Sequence, residues 1–401
     1  MSLSKNAVRH LRREGYQCIG EIRSNRDTKP VLNLTNTFWL RVAFSTRFHV
    51  LPLFMITILV GCAARGDLDT APAVENATIR EVYVAQFRQE SGQIQSFGER
   101  RPNHLSFQRL DVSVPPSHEV GQIEWPHGSP NAETDFVVVG RQSYPDLRSF
   151  ARAVANSDQS SEQETVIHVH GYNTTHGEAV YSAAQVAFDM DIPVPLVLFS
   201  WPSAAQTSGY IYDRDSALIS RDMLQQLIVA FATQSSRKVF LTGHSMGGYL
   251  LMETLRQIAI EGDLDLKKNI NGVMLLSPDI DTELFREQAK RIGSLPDPFL
   301  ILVAGQDRAL KISSLLTGRE VRLGSLTNPE ELEGLAVTLV DVGSLSDGQR
   351  FEHNIATTSP AAIAILRSLS DVASPGDLHI VDSIVRADQA EGLLSRLPLG
   401  Q

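Results

Sequence analysis

The stretch Lys238–Gly248, KVFLTGHSMGG, constrains the fold more than any other part of this chain. It begins with a short apolar run typical of a buried strand, and the residues that follow it, YLLMETLRQIAI, have helical spacing. Between the two lies the pattern Gly243-x-Ser245-x-Gly247. A serine on so sharp a strand-to-helix turn is held in a strained backbone conformation, while the glycines let neighbouring segments come close. We therefore expect the Ser245 hydroxyl to stand exposed above the edge of a sheet, where it could act as a nucleophile.

The chain around this stretch alternates between apolar strands and helices from Thr165 onward. This alternation predicts an α/β fold with a mostly parallel central sheet and helices on both faces. Ligands of such sheets bind at the carboxyl ends of the strands, which is the edge where Ser245 lies. The predicted strands are residues 165–168, 195–199, 239–242, 272–276, 299–303 and 336–340, and the predicted helices are 177–190, 216–233, 247–260, 282–292, 308–316 and 360–369. Upstream, strands are predicted at 79–87, 105–114 and 135–139, and a helix at 143–156 with Pro145 in its first turn.

The charge of the chain is unevenly distributed. The formal net charge is -10, but residues 1–61 carry nine Lys/Arg and three Asp/Glu, which leaves 27 basic and 43 acidic residues in the rest of the chain. A body this acidic is not expected to bind nucleic acid through its phosphates. The hydrophobic fraction of 42% is ordinary for a globular protein and provides a sizeable core.

The two cysteines, Cys18 and Cys62, both precede the region of alternating strands and helices, so no disulfide is expected to hold that region together. The apolar run 50–60 is too short to span a bilayer but has the length of a signal-peptide core, and Arg41 and Arg47 precede it. It ends in Leu-Val-Gly-Cys, which resembles the lipobox of bacterial lipoproteins. That resemblance implies lipidation of Cys62 and attachment to a membrane of the bacterial cell envelope, with the protein facing the periplasm or the outside.

The sequence predicts four parts. Residues 1–62 are an N-terminal extension with a lipoprotein-type signal, and 63–78 are small, polar and unpatterned, as a tether would be. Residues 79–372 are the α/β domain. Residues 373–401 follow Ser374-Pro375-Gly376 as a tail without an assigned role.

A serine nucleophile requires a histidine as general base and an acid that orients the histidine. When the serine lies on a strand-to-helix turn of this kind, the three residues follow along the chain in the order serine, acid, histidine. Of the eleven histidines, His353 and His379 are the two that follow Ser245. His353 lies between the last predicted strand and the last predicted helix, whereas His379 lies in the tail. We expect His353 to be the base.

Two aspartates are candidates for the acid, and each follows a predicted strand. Asp307 comes after FLILVAGQ and Asp279 after VMLLSP. Either could instead cap the helix that follows, since aspartate there accepts hydrogen bonds from exposed N–H groups. Asp307 is preferred because it follows the next-to-last strand, with Asp279 as the alternative acid. Asp281 is interpreted as a helix cap alone.

The oxyanion of an acyl-transfer intermediate needs two N–H donors. One is expected at Met246, directly after the nucleophile, and the other in the loop after the first parallel strand. That loop is His170-Gly171-Tyr172-Asn173, where the glycine permits a backbone turn that directs the N–H of Tyr172 toward the site.

Three further features have plainer interpretations. His168 and His170 share one face of a strand, but no other ligand follows at a suitable spacing, so neither a metal nor a cofactor is predicted. Trp201, at the end of a strand, is either a wall of the substrate pocket or a core residue. Asp213 or Asp215 is interpreted as the cap of the long helix that follows.

Several motifs together resemble one family. These are HVHGYN at 168–173, FSWPS at 199–203, YDRDSA at 212–217, HSMG at 244–247 and SPDID at 277–281. They resemble a bacterial family within the α/β-hydrolase superfamily, many of whose members have lipoprotein signals. The resemblance covers about residues 79–370. It implies an α/β-hydrolase fold and an esterase-like triad of Ser245, His353 and Asp307, and it implies no particular substrate.

The sequence therefore predicts a lipid-anchored serine hydrolase that cleaves a small acyl ester or a related acyl bond. Two alternatives stay open. A non-catalytic envelope binding protein could keep the same scaffold, and an acyltransferase would pass the acyl group to an alcohol or amine in place of water. The oligomeric state is not predicted.

Overall fold

A mostly parallel ten-stranded sheet forms the centre of the part of the chain that the structure describes. The structure is a computed structural model, and it describes residues 66–88, 101, 104–157, 164–234, 237–262, 264–305, 307, 309–310, 313–314, 318, 321–343, 354–372 and 385–386. Cys18, Cys62, His353 and His379 lie outside these residues.

The strands follow the order β10-β9-β8-β7-β6-β4-β5-β1-β2-β3 across the sheet. All neighbours from β10 to β1 are parallel, and β2 and β3 are added antiparallel at one edge. The strands are β1 (Thr78–Arg88), β2 (His104–Val114), β3 (Val137–Tyr144), β4 (Glu164–Val169), β5 (Leu196–Ser200), β6 (Lys238–His244), β7 (Ile270–Leu276), β8 (Phe299–Val303), β9 (Thr338–Asp341) and β10 (Val385–Arg386).

Helices cover both faces of this sheet. They are α1 (Leu147–Ala155), α2 (His176–Asp189), α3 (Tyr210–Gln234), α4 (Met246–Glu261), α5 (Leu266–Asn269), α6 (Thr282–Ile292), α7 (Ile355–Thr358) and α8 (Pro360–Val372). The largest core cluster joins the sheet to α1, α3, α4 and α6. Two smaller clusters pack α2 against the β1 and β5 side, and α7 and α8 against β8 and β9. The predicted fold class is confirmed.

The chain reverses its direction of winding beside β4. The chain passes from β4 to β5, which is the neighbour of β4 on one side. It then crosses to β6, which is the neighbour of β4 on the other side. Such a reversal opens a crevice at the carboxyl ends of the two strands, because the connections leave in opposite directions. The loop after β4 and the turn after β6 therefore meet at one place.

Two helix starts differ from the prediction. The helix predicted at 143–156 begins only at Leu147, because β3 continues to Tyr144 and Asp146 caps the helix by accepting the N–H of Ser149. The long helix predicted from Ser216 begins six residues earlier, at Tyr210, after a short 3-10 turn at Thr207–Gly209. Of the helix predicted at 308–316, the described residues 309–310 and 313–314 are helical.

The segment predicted as a tether is packed against the fold where the structure describes it. The N–H of Val138 donates to the carbonyl of Asp69 at 2.8 Å, and the N–H of Asp69 donates to the Tyr181 hydroxyl at 3.0 Å. The hydroxyl of Thr175 donates to the carbonyl of Gly66. In the described part of the chain, no helix is both long and apolar enough to span a bilayer.

Candidate active site

Ser245 occupies a strained turn between β6 and α4. Its φ of 52° and ψ of -119° are unusual for a residue with a side chain. Such a conformation costs about 1–3 kcal/mol and persists only where the surroundings fix it. Here the N–H of Ser245 donates to the carbonyl of Leu276 at 2.9 Å, and its own carbonyl accepts the N–H groups of Gly248 and Asp279. The predicted strand, turn and helix are confirmed.

Both glycines of the motif are required by close backbone contacts. A Cβ on Gly247 would lie 2.3 Å from the carbonyl oxygen of Val169 and 2.4 Å from that of His170. A Cβ on Gly243 would lie 2.9 Å from the Cα of Gly248. The first turn of α4 is therefore pressed against the end of β4, which brings the loop after β4 next to the serine.

Ser245 is buried rather than open to bulk solvent, with 3% of its surface exposed. This corrects the expectation of an exposed hydroxyl, because the neighbouring loops rise above the sheet edge. The side chain lines a cavity of 1340 Å³. The cavity extends from Ser245 along the sheet face between α2 and α8, where its floor is mainly apolar and includes Val166, Leu196, Phe240, Met274 and Leu300.

The two segments expected to supply oxyanion donors lie on either side of Ser245. The position of a Cβ on Gly171 is 3.2 Å from the Cβ of Ser245, so the loop after β4 contacts Ser245. Met246 is the first residue of α4, where N–H groups have no acceptor within the helix. The phenol of Tyr172 donates to the carbonyl of Thr207, which ties this side chain to the turn before α3. The roles of Tyr172 and Met246 as donors stay a prediction.

Two histidines lie at the carboxyl end of β4, His168 within the strand and the buried His170 directly after it. His168 shares a hydrogen bond of 2.7 Å with Thr242, and His170 lies between the carbonyls of Gly171 and Trp201. Desolvation lowers the pKa of each to about 4, while the hydrogen bonds from His170 to the two carbonyls act in the opposite direction on its pKa. Among the described residues, no group of three metal-ligating side chains occurs.

Trp201 belongs to the core. It is 2% exposed, its ring stacks on His170 with centroids 5.0 Å apart, and its indole N–H donates to the carbonyl of His170 at 2.8 Å. Of the two interpretations of this residue, the core is the right one. Trp201 thereby anchors the first residue of the loop that contacts Ser245.

Asp307 is fully buried just beyond β8. Its Oδ1 accepts the N–H groups of Ala309 at 2.9 Å and Leu310 at 3.1 Å. These are the contacts of a capping residue. A carboxylate has four acceptor positions, so the same side chain can also receive a histidine N–H.

Asp279 has a different environment, in a buried cluster beside the cavity. Its Oδ1 accepts Nε of Arg322 at 2.6 Å and the hydroxyl of Ser313 at 2.6 Å, while Oδ2 accepts the hydroxyl of Tyr210 at 2.9 Å. Arg322 and Asp279 are 4% and 3% exposed. Burial, with Asp279 nearby, raises the pKa of Tyr210 to about 12. Both oxygens of Asp279 therefore accept hydrogen bonds from buried donors, and Oδ1 also forms an ion pair with Arg322.

The aspartates interpreted as helix caps near these elements have different outcomes. Asp281 caps α6 by accepting the N–H of Leu284 at 3.0 Å, as predicted. Neither Asp213 nor Asp215 is the cap of α3, because the helix begins at Tyr210, before both residues. The carboxylate of Asp213 has a different role. It accepts hydrogen bonds from Asn173, Ser203 and Ala204 in two neighbouring loops.

His353 lies outside the described residues, and so does Cys62. Asn354, the residue after His353, lines the same cavity as Ser245, and so do Thr357 and Thr358 of α7. The structure therefore places Ser245, the Tyr172 loop and Asp279 around one crevice, with Met246 directly after Ser245 in α4.

Sequence reasoning missed Arg322 and Tyr210. Arg322 lies 43 positions beyond Asp279 in a segment without regular periodicity, so no local pattern indicated the pair. Tyr210 precedes the YDRDSA motif, but its link to Asp279 crosses 69 positions. Only the packing of three loops brings these groups together.

The strained serine turn at the winding reversal of a mostly parallel sheet defines the α/β-hydrolase class. A family model described as "Alpha/beta hydrolase of unknown function (DUF900)" matches residues 148–369, more than half of the chain. The chain therefore belongs to this family of hydrolases. The match includes Ser245, Asp307 and His353. A comparison with curated proteins gives no match.

Solved structures that resemble the chain are also α/β-hydrolases. Lipase B of Aspergillus fumigatus has 16% identity and a TM-score of 0.41, with 62% of each chain covered. A predicted CIB-like hydrolase of Thermoplasma acidophilum has 14% identity and a TM-score of 0.34, with 73% of this chain and 100% of that chain covered. An esterase of Pyrobaculum calidifontis has 13% identity and a TM-score of 0.33, with coverages of 74% and 87%. The chain thus spans about three fifths of the fungal lipase.

Proposed function

We propose that this chain is a serine hydrolase that cleaves a carboxylic ester or a related acyl bond. The observation that supports this most is the strained position of Ser245 at the wall of a large cavity, directly against the loop that precedes Tyr172. A turn that costs conformational energy and is held by long-range backbone hydrogen bonds is expected where a nucleophile must be presented.

In the proposed reaction, Oγ of Ser245 attacks the acyl carbonyl while His353 accepts the hydroxyl proton. The N–H groups of Met246 and Tyr172 donate to the oxyanion that forms. The carbonyl then reforms as the bond to the leaving alkoxide breaks, and His353 gives that oxygen its proton. Water attacks the acyl-enzyme in the same manner and releases the acid and free Ser245.

Asp307 is the acid we assign to His353. The support is that both carboxylate oxygens of Asp279 accept hydrogen bonds from buried donors, including the guanidinium of Arg322. Moving Asp279 onto a histidine would break an ion pair that is 3–4% exposed, and an uncompensated buried charge is costly. The position of Asp307 beyond β8 agrees with the same assignment.

We also propose that Cys62 is lipidated and attaches the protein to the cell envelope. The support is the apolar run 50–60, which is followed by Gly61 and Cys62. Radiolabelled palmitate fed to cells that express the full chain should appear on the protein and be absent from a Cys62→Ser variant. Equal labelling of the two forms contradicts the proposal.

The hydrolase proposal is tested by labelling the purified full chain with a fluorophosphonate, which reacts with activated serines. We expect the wild type to be labelled and the Ser245→Ala and His353→Ala variants not to be labelled. His127→Ala is the matched control, because His127 is exposed and is not among the residues that line the cavity. It should be labelled at the wild-type rate.

The outcomes distinguish a serine hydrolase from a binding protein and from an acyltransferase. A wild-type protein that is folded but unlabelled contradicts the proposal and favours a binding protein on the same scaffold. Labelling that survives Ser245→Ala assigns the nucleophile elsewhere. If labelling is as expected, p-nitrophenyl esters with and without an added alcohol or amine distinguish hydrolysis from acyl transfer.

A further inference from the structure

The carboxylate of Asp213 lies at the centre of a network that joins two loops. The residue is fully buried in the first turn of α3. Its Oδ2 accepts the hydroxyl of Ser203 at 2.7 Å and the N–H of Asn173 at 3.1 Å, and its Oδ1 accepts the N–H of Ala204 at 2.5 Å. None of these donors belongs to the helix on which Asp213 lies.

Ser203 links the carboxylate of Asp213 to two further backbone N–H groups. While its hydroxyl donates to Asp213, its oxygen accepts the N–H of Thr174 at 3.3 Å and the N–H of Ala205 at 3.0 Å. Four backbone N–H groups are thus held directly or through Ser203. Two of them follow β4 and two follow β5.

Both loops contain a residue in a strained conformation. Asn173 has a φ of 56° and Ala205 a φ of 52°, in the left-handed region. For alanine this region costs roughly 1–2 kcal/mol. Hydrogen bonds to charged groups contribute about 1.5–3 kcal/mol each, which is enough to offset such strain. The network therefore accounts for why the loops keep these conformations.

The loop after β4 is the one that contacts the nucleophile. Gly171 approaches Ser245, and the Asn173 N–H held by Asp213 belongs to the peptide group directly after Tyr172. Fixing that peptide limits the rotation of the Tyr172 backbone on its carboxyl side. Trp201 fixes the other end of the loop by donating to the carbonyl of His170. The amide of Tyr172 is therefore restrained from both directions.

We propose that Asp213 is a positioning residue that holds the loop His170–Thr174 so that the N–H of Tyr172 faces the developing oxyanion. This inference rests on the proposed function. It assigns one role to three motifs of the sequence: the loop after β4 supplies the donor, Ser203 of FSWPS relays the hydrogen bonds, and Asp213 of YDRDSA supplies the charge.

The test compares Asp213→Asn with Asp215→Asn in the full chain. Asp215 is exposed on the same helix two residues away, so its variant makes the same change in charge without touching the network. The readouts are the kcat and KM for p-nitrophenyl butyrate and the rate constant and final stoichiometry of fluorophosphonate labelling. Inhibition by a trifluoromethyl ketone, which forms a tetrahedral oxyanion on serine, is also measured.

Removal of one oxyanion donor lowers kcat by about 10²–10³-fold, and we expect Asp213→Asn to approach the lower figure with KM changed less than about threefold. The inhibition constant of the ketone should rise by a similar factor, while the final labelling stoichiometry stays at that of the wild type. A purely structural role would instead lower the stoichiometry and leave the rate of each active molecule unchanged. Ser203→Ala, which removes only the relay, should show the same pattern more weakly.

Each outcome has a definite meaning. If Asp213→Asn and Asp215→Asn both react like the wild type, the inference is wrong and the proposed function stands. If Asp213→Asn does not fold, Ser203→Ala decides, and an unchanged kcat for that variant overturns the inference. A wild type that neither labels nor hydrolyses the ester overturns the proposed function and this inference together.

Discussion

Two buried aspartates near the carboxyl ends of neighbouring strands differ in the donors from which they accept hydrogen bonds. Asp307 accepts two backbone N–H groups through one oxygen, whereas Asp279 accepts Arg322, Ser313 and Tyr210. The first set of donors would be served equally well by an uncharged amide oxygen. The second set includes a guanidinium that requires a counter-charge. Substitution by asparagine therefore affects the two positions differently.

We expect Asp307→Asn to lower kcat by roughly 10⁴-fold, since an amide cannot hold the histidine in the required tautomer. The free energy of unfolding should change little, because the amide oxygen can still accept the N–H groups of Ala309 and Leu310. Hydrolysis of p-nitrophenyl butyrate and urea denaturation measure the two quantities.

Asp279→Asn is expected to lower the stability of the protein more than its activity. It leaves the Arg322 charge buried without a partner, and breaking a buried ion pair costs about 3–5 kcal/mol of stability. Each folded molecule should keep much of its activity. If Asp279→Asn is stable but inactive while Asp307→Asn is active, the assignment of the acid is reversed.

At the scale of the element, the contact between α4 and β4 determines where Ser245 lies. The turn leaves no room for a side chain at Gly247, because two backbone carbonyls are within 2.4 Å of a Cβ there. One residue later the space is different, and the nearest atom to a Cβ on Gly248 is the Cβ of Pro278 at 3.3 Å. In α4, an alanine at position 247 would therefore clash with the backbone of β4 and the loop after it. An alanine at position 248 would meet only a tight contact with a side chain.

We expect Gly247→Ala to destabilise the protein by about 1–3 kcal/mol, as overpacking does, and to slow fluorophosphonate labelling by displacing the loop at His170. Gly248→Ala is the control, and it should be neutral or up to about 1 kcal/mol more stable because alanine is favoured within helices. Urea denaturation of both variants gives the comparison. Equal stabilities for the two variants would mean that the backbone contact at Gly247 relaxes without cost.

At the scale of the whole molecule, a buried histidine links the antiparallel edge of the sheet to α2. The ring of His118 lies 2.9 Å from Glu124 through Nδ1 and 2.9 Å from Asp189 through Nε2. Asp189 also accepts the N–H of Gly121 at 2.7 Å. Burial alone would lower the pKa of His118, but the hydrogen bonds to Asp189 and Glu124 outweigh it and raise the pKa. The imidazolium form of His118 therefore forms ion pairs with Glu124 and Asp189, which join the loop after β2 to the end of α2.

This arrangement predicts a loss of stability in mild alkali. Because the pKa of His118 is higher in the folded than in the unfolded state, its contribution is complete below the unfolded value of about 6.5 and declines as the pH rises through the folded value. We expect the free energy of unfolding to fall as the pH rises above about 6.5, and to fall less in a His118→Gln variant. Parallel pH dependences for both proteins would show that other groups are responsible. His127→Gln, at an exposed histidine, is the control.

The sequence alone was sufficient for the fold class, most strands and helices, and the place of Ser245. These features depend on neighbours along the chain: apolar periodicity, the glycines around one serine and the spacing of a polar turn. The same reasoning identified Asp281 as a cap, because a cap bonds to the first turn of its own helix. It also limited the general base to two histidines by their order after Ser245.

Only the tertiary structure decided what Asp213, Asp279 and Trp201 contact. The partners of these side chains lie 9 to 69 positions away, and many of them are backbone N–H groups, which donate, or carbonyls, which accept. Every residue has a carbonyl and every residue but proline has an N–H, so these partners leave no signature in the side-chain pattern. A buried carboxylate must be matched by donors, but the sequence does not say which loop will supply them. The winding reversal beside β4 determines which loops supply these donors, because it brings the ends of β4, β5 and β6 together around Ser245.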